Sequence, residues 1–171
     1  MTITFILGGA RSGKSTYAME LAKKISHNVA YVATCNYRDE EMDARIAKHQ
    51  ADRPAHWATI EEFNDLSAPL LHHANKFDVL LIDCLTLFIS GLMLADQSDT
   101  IILDGIEKFL STAQEIPGQL LIVANEVGLG IVPEHPLGRR FRDLAGIINQ
   151  KVARVADEVF LMTAGIPMKI K

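Results

Sequence analysis

Apolar residues along this chain gather in short, nearly unbroken runs separated by longer amphipathic stretches. The runs are Thr2–Leu7, Val29–Ala33, Val79–Ile82, Leu120–Ala124 and Val159–Met162. Runs this short, with little internal alternation, suit strands buried on both faces. Helical patterns between them predict βαβ crossovers and a mainly parallel sheet with flanking helices. The tail from Val159 to Lys171 carries Ala164-Gly165-Ile166-Pro167 between two apolar pieces. That pattern predicts an antiparallel hairpin at the sheet edge. The longest apolar stretch, Val79 to Ala95, contains Asp83 and is marginal in length for a bilayer span. It is read as a buried strand followed by a buried helix, with no stable membrane span.

The helical patterns carry their own start and stop signals. Thr16 to Ile25 reads as one helix. Asp39 is placed to cap a second, Glu40 to His49, with acids in its first turn and Arg53-Pro54 beyond its end. At 100° per residue, Met42, Ile46, His49 and Arg53 fall on nearly one line, Arg45 flanks it, and Lys48 points away. A further helix, about Gly138 to Ala156, has an apolar stripe of Phe141, Ala145, Ile148, Val152 and Val155. Arg142, Gly146, Asn149 and Ala153 lie beside that stripe, which fits either ordinary packing or a close contact with ligand or subunit.

With 171 residues, 49% of them apolar and 22% charged, the chain is expected to form one domain over 1–171. Its net charge of −4 argues against nucleic acid as the main partner. Cys35 and Cys84 have no CxxC spacing, so neither a disulfide framework nor a zinc site is expected. Met1 to Leu7 lacks a signal-peptide layout, and the expected compartment is the cytoplasm.

Candidate chemistry begins where the first run ends. Gly8-Gly9-Ala10-Arg11-Ser12-Gly13-Lys14-Ser15 fits the phosphate-loop pattern G-x-x-x-x-G-K-[ST], between a strand pattern and a helix pattern. The glycines let the backbone curl so that successive N–H groups point at phosphate oxygens, and the helix N-terminus adds partial positive charge. Lys14 is placed to reach the β- and γ-phosphates, and Ser15 to ligate Mg²⁺. Asp83 closes the apolar run Val79–Ile82 and is expected at the carboxyl edge of the sheet, beside the Mg²⁺ shell. The alternative for Asp83 is to cap the helix that begins near Leu85. The segment Asn125-Glu126-Val127-Gly128-Leu129-Gly130 is expected at the same edge, with glycines permitting close approach to a ligand.

His49 faces the protein body beside arginines. A histidine on an apolar helix face is most often a satisfied core residue. Arginines, however, are poor core residues and good phosphate partners, and neighbouring cations favour a neutral, nucleophilic imidazole. Both roles stay open on this chemistry alone. His27, His56, His72, His73 and His135 have no comparable setting.

These blocks together resemble the bifunctional adenosylcobinamide kinase / adenosylcobinamide-phosphate guanylyltransferase family. The resemblance is carried by Gly8 to Ser15, Tyr31-Val32-Ala33-Thr34, Arg45-Ile46 with His49, and Arg53-Pro54-Ala55-His56-Trp57. It continues through Asn125 to Glu134, Phe141 to Gly146 with Asn149-Gln150, and Ala164 to Lys171. Lys48 and Asp83 stand where some relatives carry another base and a glutamate. The resemblance implies a RecA-like P-loop fold, a homotrimer, and ATP and GTP as substrates. It implies phosphorylation of the aminopropanol hydroxyl of adenosylcobinamide. It further implies attack by His49 on the α-phosphate of GTP and transfer of GMP to adenosylcobinamide phosphate. By the same analogy Ala33, Thr34, Cys35, Gln50, Ala51, Asp52, Arg53, Glu61 and Asp83 bind GTP. The competing reading is a P-loop nucleoside or small-metabolite kinase without the covalent histidine. A GTP switch is disfavoured because Asn125-Glu126-Val127 lacks the lysine and aspartate of an N-K-x-D motif.

Overall fold

The computed structural model describes residues 1–36 and 39–171, and of Glu41 and Arg45 the backbone alone. Among these residues, seven strands form one sheet: β1 (Thr2–Gly8), β2 (Val29–Ala33), β3 (Ala58–Glu61), β4 (Val79–Asp83), β5 (Gln119–Asn125), β6 (Glu158–Thr163) and β7 (Ile166–Lys169). Their spatial order is β3-β2-β4-β5-β1-β6-β7. Every pairing is parallel except β6 with β7. The expected strands are all present, each apolar run matching a strand within one residue at either end. The hairpin forms because Ala164 and Gly165 both adopt positive φ, 51° and 82°, the conformation that a two-residue turn between right-twisted strands requires.

Among the described residues, six helices connect the strands: α1 (Lys14–Ile25), α2 (Glu40–Ala51), α3 (Ser67–His73), α4 (Leu85–Leu94), α5 (Asp99–Glu115) and α6 (Pro136–Val155). The Asp39 carboxylate accepts from the Met42 N–H at 2.7 Å, the expected cap of α2, worth about 1 kcal/mol. Ser98 caps α5 in the same way at 3.3 Å. The α5 sequence buries Ile102, Ile106, Phe109, Leu110 and Ala113, one stripe of a 3.6-residue period. Helix α4 is buried almost all round, which explains why its sequence reads as continuously apolar.

The pleat sorts side chains into two cores. Ile3, Phe5, Leu80, Ile82, Leu120 and Ile122 face one way and pack with residues of α3 to α6. Ile6, Tyr31, Leu81, Leu121 and Val123 face the other way and pack on Ala18, Met19 and Ala22 of α1. Strand β3 was not foreseen. It has four residues, pairs among the described residues with β2 alone, and is half exposed, so no apolar run marks it. Its one local sign is the alternation along Ala58-Thr59-Ile60-Glu61.

Candidate active site

The loop between β1 and α1 is built by close approach. A Cβ on Gly8 would stand 2.4 Å from Ser12 Oγ and 2.9 Å from the Met162 carbonyl oxygen. Gly13 takes φ 90° and leads into α1, which has no side-chain cap and no acid in its first turn. The first N–H groups of α1 are thereby left to the loop, the arrangement that holds anions at a helix N-terminus. The Lys14 ammonium lies over the loop and donates to the Gly9 carbonyl at 2.9 Å. Ser12 and Lys14 are buried, Ser15 is half-buried, and Gly9, Ala10 and Arg11 are exposed. The C-terminal hairpin braces this loop: the Gly165 N–H donates to the Ser12 carbonyl at 3.0 Å.

Strand pleating brings four more residues to the α1 face. Register pairs Gly8 with Asn125, Val123 with Asp83, and Asp83 with Ala33, which is in turn opposite Glu61. Tyr31, Ala33, Asp83 and Asn125 share the parity of the strand residues that pack on α1. Asp83 does not cap α4. That position is held by Cys84, without a side-chain hydrogen bond. The Asp83 Oδ2 instead accepts from the Tyr31 hydroxyl at 3.1 Å. Burial, and then the Asp83 charge, raise the Tyr31 phenol well above its ordinary value. The same two causes push the Cys84 thiol up to about 12, so it is no nucleophile at neutral pH. The Thr34 hydroxyl is buried and donates to the Cys84 carbonyl at 2.7 Å, tying the end of β2 to the end of β4.

Helix α2 lies beside these strand ends. Met42, Ile46, His49 and Arg53 all line the cleft it forms with them, while Lys48 is exposed. The side chain of Arg45 lies outside the described residues. Arg53 anchors the end of α2. Its Nε donates to the His49 carbonyl at 3.0 Å and its Nη1 to Thr59 Oγ1 at 3.0 Å. Its guanidinium stacks 3.8 Å from the Tyr31 ring centroid, a cation–π contact. Expected as a phosphate partner, Arg53 thus also fixes the backbone of His49 to β2 and β3.

One cleft of about 800 Å³, counting its open mouth, gathers Lys14, Ser15, Ala33, Thr34, Cys35, His49, Gln50, Arg53, Glu61 and Asp83. Ala51 and Asp52 are exposed and do not line it. Tyr31, Thr59 and Leu87 line it too, without having been assigned a role from the sequence, and Asn125 lines it from the segment expected at this edge. Tyr31 and Leu87 looked like core positions, and Thr59 sits on the unforeseen β3. No helix among the described residues is long and apolar enough to cross a membrane.

Comparison with known proteins places this geometry. Among solved structures, a prototypical ATPase from the type III secretion system of pathogenic bacteria superposes with a TM-score of 0.61 at 12% identity, covering 95% of this chain and 51% of its own. The RadB recombinase gives 0.56 at 12%, covering 94% of this chain and 73% of its own. At that identity they share the RecA-like P-loop fold alone. Sequence relatives reach further. A bifunctional adenosylcobalamin biosynthesis protein of Pseudomonas aeruginosa is 47% identical over 167 residues, 97% of this chain and 95% of its own. One from Salmonella typhimurium is 40% identical over 178 residues, covering 97% and 98%. The model of the family described as cobinamide kinase / cobinamide phosphate guanyltransferase matches residues 4–170. With that match spanning nearly the whole sequence, and with the phosphate loop and the α2 histidine on one cleft, the chain belongs to the cobinamide kinase / cobinamide phosphate guanyltransferase family.

Proposed function

We propose that both reactions of this bifunctional enzyme of adenosylcobalamin biosynthesis use the one cleft between β1–α1 and α2, with His49 as the covalent carrier of GMP. The observation that carries this reading is the cleft itself, lined by Lys14 and Ser15 from the loop and by His49 from the inward face of α2. In the kinase step the loop N–H groups and Lys14 hold the triphosphate while the aminopropanol hydroxyl of adenosylcobinamide attacks the γ-phosphorus. In the transfer step a ring nitrogen of His49 attacks the α-phosphorus of GTP. An N–P bond forms and the P–O bond to pyrophosphate breaks. A phosphate oxygen of adenosylcobinamide phosphate then attacks the same phosphorus. The N–P bond breaks, His49 is restored, and adenosyl-GDP-cobinamide leaves. Gly8 to Ser15, Ala33 to Cys35, Gln50, Arg53, Glu61 and Asp83 form the nucleotide site in this reading, without the exposed Ala51 and Asp52.

Ser15 and Asp83 offer a hydroxyl and a carboxylate, an oxygen donor set that suits Mg²⁺. Among the described residues, Asp83 is engaged through Oδ2, by Tyr31. These two residues would hold the ion, which when bound neutralises phosphate charge. Supply of ATP and GTP accords with a cytoplasmic location. Leu129, Ile131 and Val132, on the loop after β5, are 85%, 98% and 63% exposed. They offer apolar surface for the homotrimer that this reading includes, and sedimentation equilibrium measures it directly.

The test of the covalent step is incubation with Mg²⁺ and GTP labelled on the α-phosphate. Acid-labile, base-stable label on the chain that disappears in His49→Ala is the expected result. Normal GMP transfer by His49→Ala would refute the covalent route. An unlabelled but GTP-binding wild type would leave a P-loop kinase without a histidine intermediate.

A further inference from the structure

Asn125 ends β5 opposite Gly8, at the point where the phosphate loop leaves β1. Its backbone is pinned on both sides. The N–H donates to Thr86 Oγ1 at 2.6 Å, and the carbonyl accepts from Asn149 Nδ2 at 3.2 Å. The side chain lines the cleft with Lys14 and Asp83. Its Oδ1 is buried and has no hydrogen-bond partner among the described residues. The amide nitrogen is not among the buried atoms without a partner, and no hydrogen bond from it to the described residues is seen. The amide group is thus left to the cleft it lines, on a backbone held at both its N–H and its carbonyl.

We propose that Asn125 is a catalytic residue of the kinase step, its Nδ2 donating to a non-bridging oxygen of the γ-phosphoryl group during transfer. The inference rests on the reading that the triphosphate lies in this cleft. A phosphoryl group in transfer spreads charge over its three equatorial oxygens, and a donor fixed in advance stabilises that charge without reorganisation. The bond from the substrate hydroxyl oxygen to the γ-phosphorus forms, and the bond to the β-phosphate oxygen breaks. The hydroxyl proton is taken up by the transferred group. Asn125 donates hydrogen bonds throughout and exchanges no proton. Position assigns it to this step. Strand β5 pairs with β1, which leads into the loop, and with β4, whereas α2 and its His49 are anchored to β2 and β3.

The experiment compares wild type, Asn125→Ala and Asn125→Asp with Mg²⁺, triphosphate and cobinamide, beside α-labelling of the chain by GTP. The aspartate is isosteric, keeps both backbone bonds and replaces the donors with acceptors. The expected result is a kinase kcat lowered about 10²–10³-fold in both variants, as for other preorganised donors. In Asn125→Ala the KM for triphosphate, the labelling by GTP and the melting temperature are expected to stay near wild type, whereas the new carboxylate of Asn125→Asp also repels the phosphates and raises that KM. A kinase kcat near wild type in Asn125→Asp would overturn the assignment. So would a parallel loss of triphosphate affinity, labelling and kinase rate in Asn125→Ala, which would make Asn125 a general binding or structural residue. Normal turnover by Lys14→Ala would remove the triphosphate from this cleft and the Asn125 assignment with it.

Discussion

Gly8→Ala tests how tightly the phosphate loop is built. The new Cβ would lie 2.4 Å from Ser12 Oγ, 2.9 Å from the Met162 carbonyl oxygen and 3.0 Å from Met162 Cβ. Carbon contacts settle near 3.5–4.0 Å, so the methyl must move by roughly 0.5–1 Å from Met162. Ser12 Oγ can rotate away. Met162 cannot, because it sits opposite Gly8 in the β1–β6 ladder. The strands must part, and overpacking of this kind costs about 1–3 kcal/mol. At about 2–4 °C per kcal/mol for a chain of this size, thermal unfolding should drop by about 2–12 °C. Triphosphate affinity, read by isothermal titration with GTP, should fall with it, because the loop N–H groups lose their common focus. Gly9→Ala is the control. A Cβ there meets nothing within 4 Å, and a surface change without strain should alter stability by less than about 0.5 kcal/mol. A Gly8→Ala variant with wild-type melting and GTP affinity would refute the reasoning, as would a Gly9→Ala variant equally destabilised.

Tyr31→Phe keeps the ring under Arg53 and deletes the hydroxyl on Asp83. It should cost about 1 kcal/mol and raise the Mg²⁺ concentration needed for half-maximal activity; an unchanged Mg²⁺ titration would count against Asp83 as a metal ligand. Gly165→Ala meets open space but must hold φ 82°, a strain of about 1–2 kcal/mol that differential scanning calorimetry can read. Gly13→Ala combines φ 90° with a 3.2 Å approach to Gly165 Cα and should cost more and weaken GTP binding. Cys84 ionises at 9.0 in its ordinary state and is pushed up to about 12 in the fold. Above pH 9 the unfolded chain therefore binds fewer protons than the native one, and stability falls as pH rises towards 12. Cys84→Ala should remove one proton from that dependence, about 1.4 kcal/mol per pH unit in urea melts. An unchanged alkaline slope would show that the thiol is not held protonated.

Much of this protein was legible in one dimension. Strands buried on both faces must be apolar throughout, so Val29–Ala33 or Leu120–Ala124 announce themselves without reference to any partner. The phosphate loop was legible because only glycine permits the Gly8 approach and the Gly13 turn. The inward aspect of His49 followed from helical period alone, which sets Met42, Ile46 and His49 on one side and Lys48 on the other. Periodicity is a local property, and it stops at the element. Which strand ends become neighbours depends on hydrogen bonds between segments far apart in sequence. The Tyr31–Asp83 bond spans 52 residues, and no local signal encodes it. The same holds for β3, a half-exposed edge held by β2, and for Arg53, whose sequence setting suggested phosphate but whose folded partners include His49, Thr59 and Tyr31. Asn125 shows the division most clearly. The sequence put it at the carboxyl edge of the sheet, but only the placing of β5 beside β1 set its amide against the phosphate loop and left its oxygen buried without a partner among the described residues.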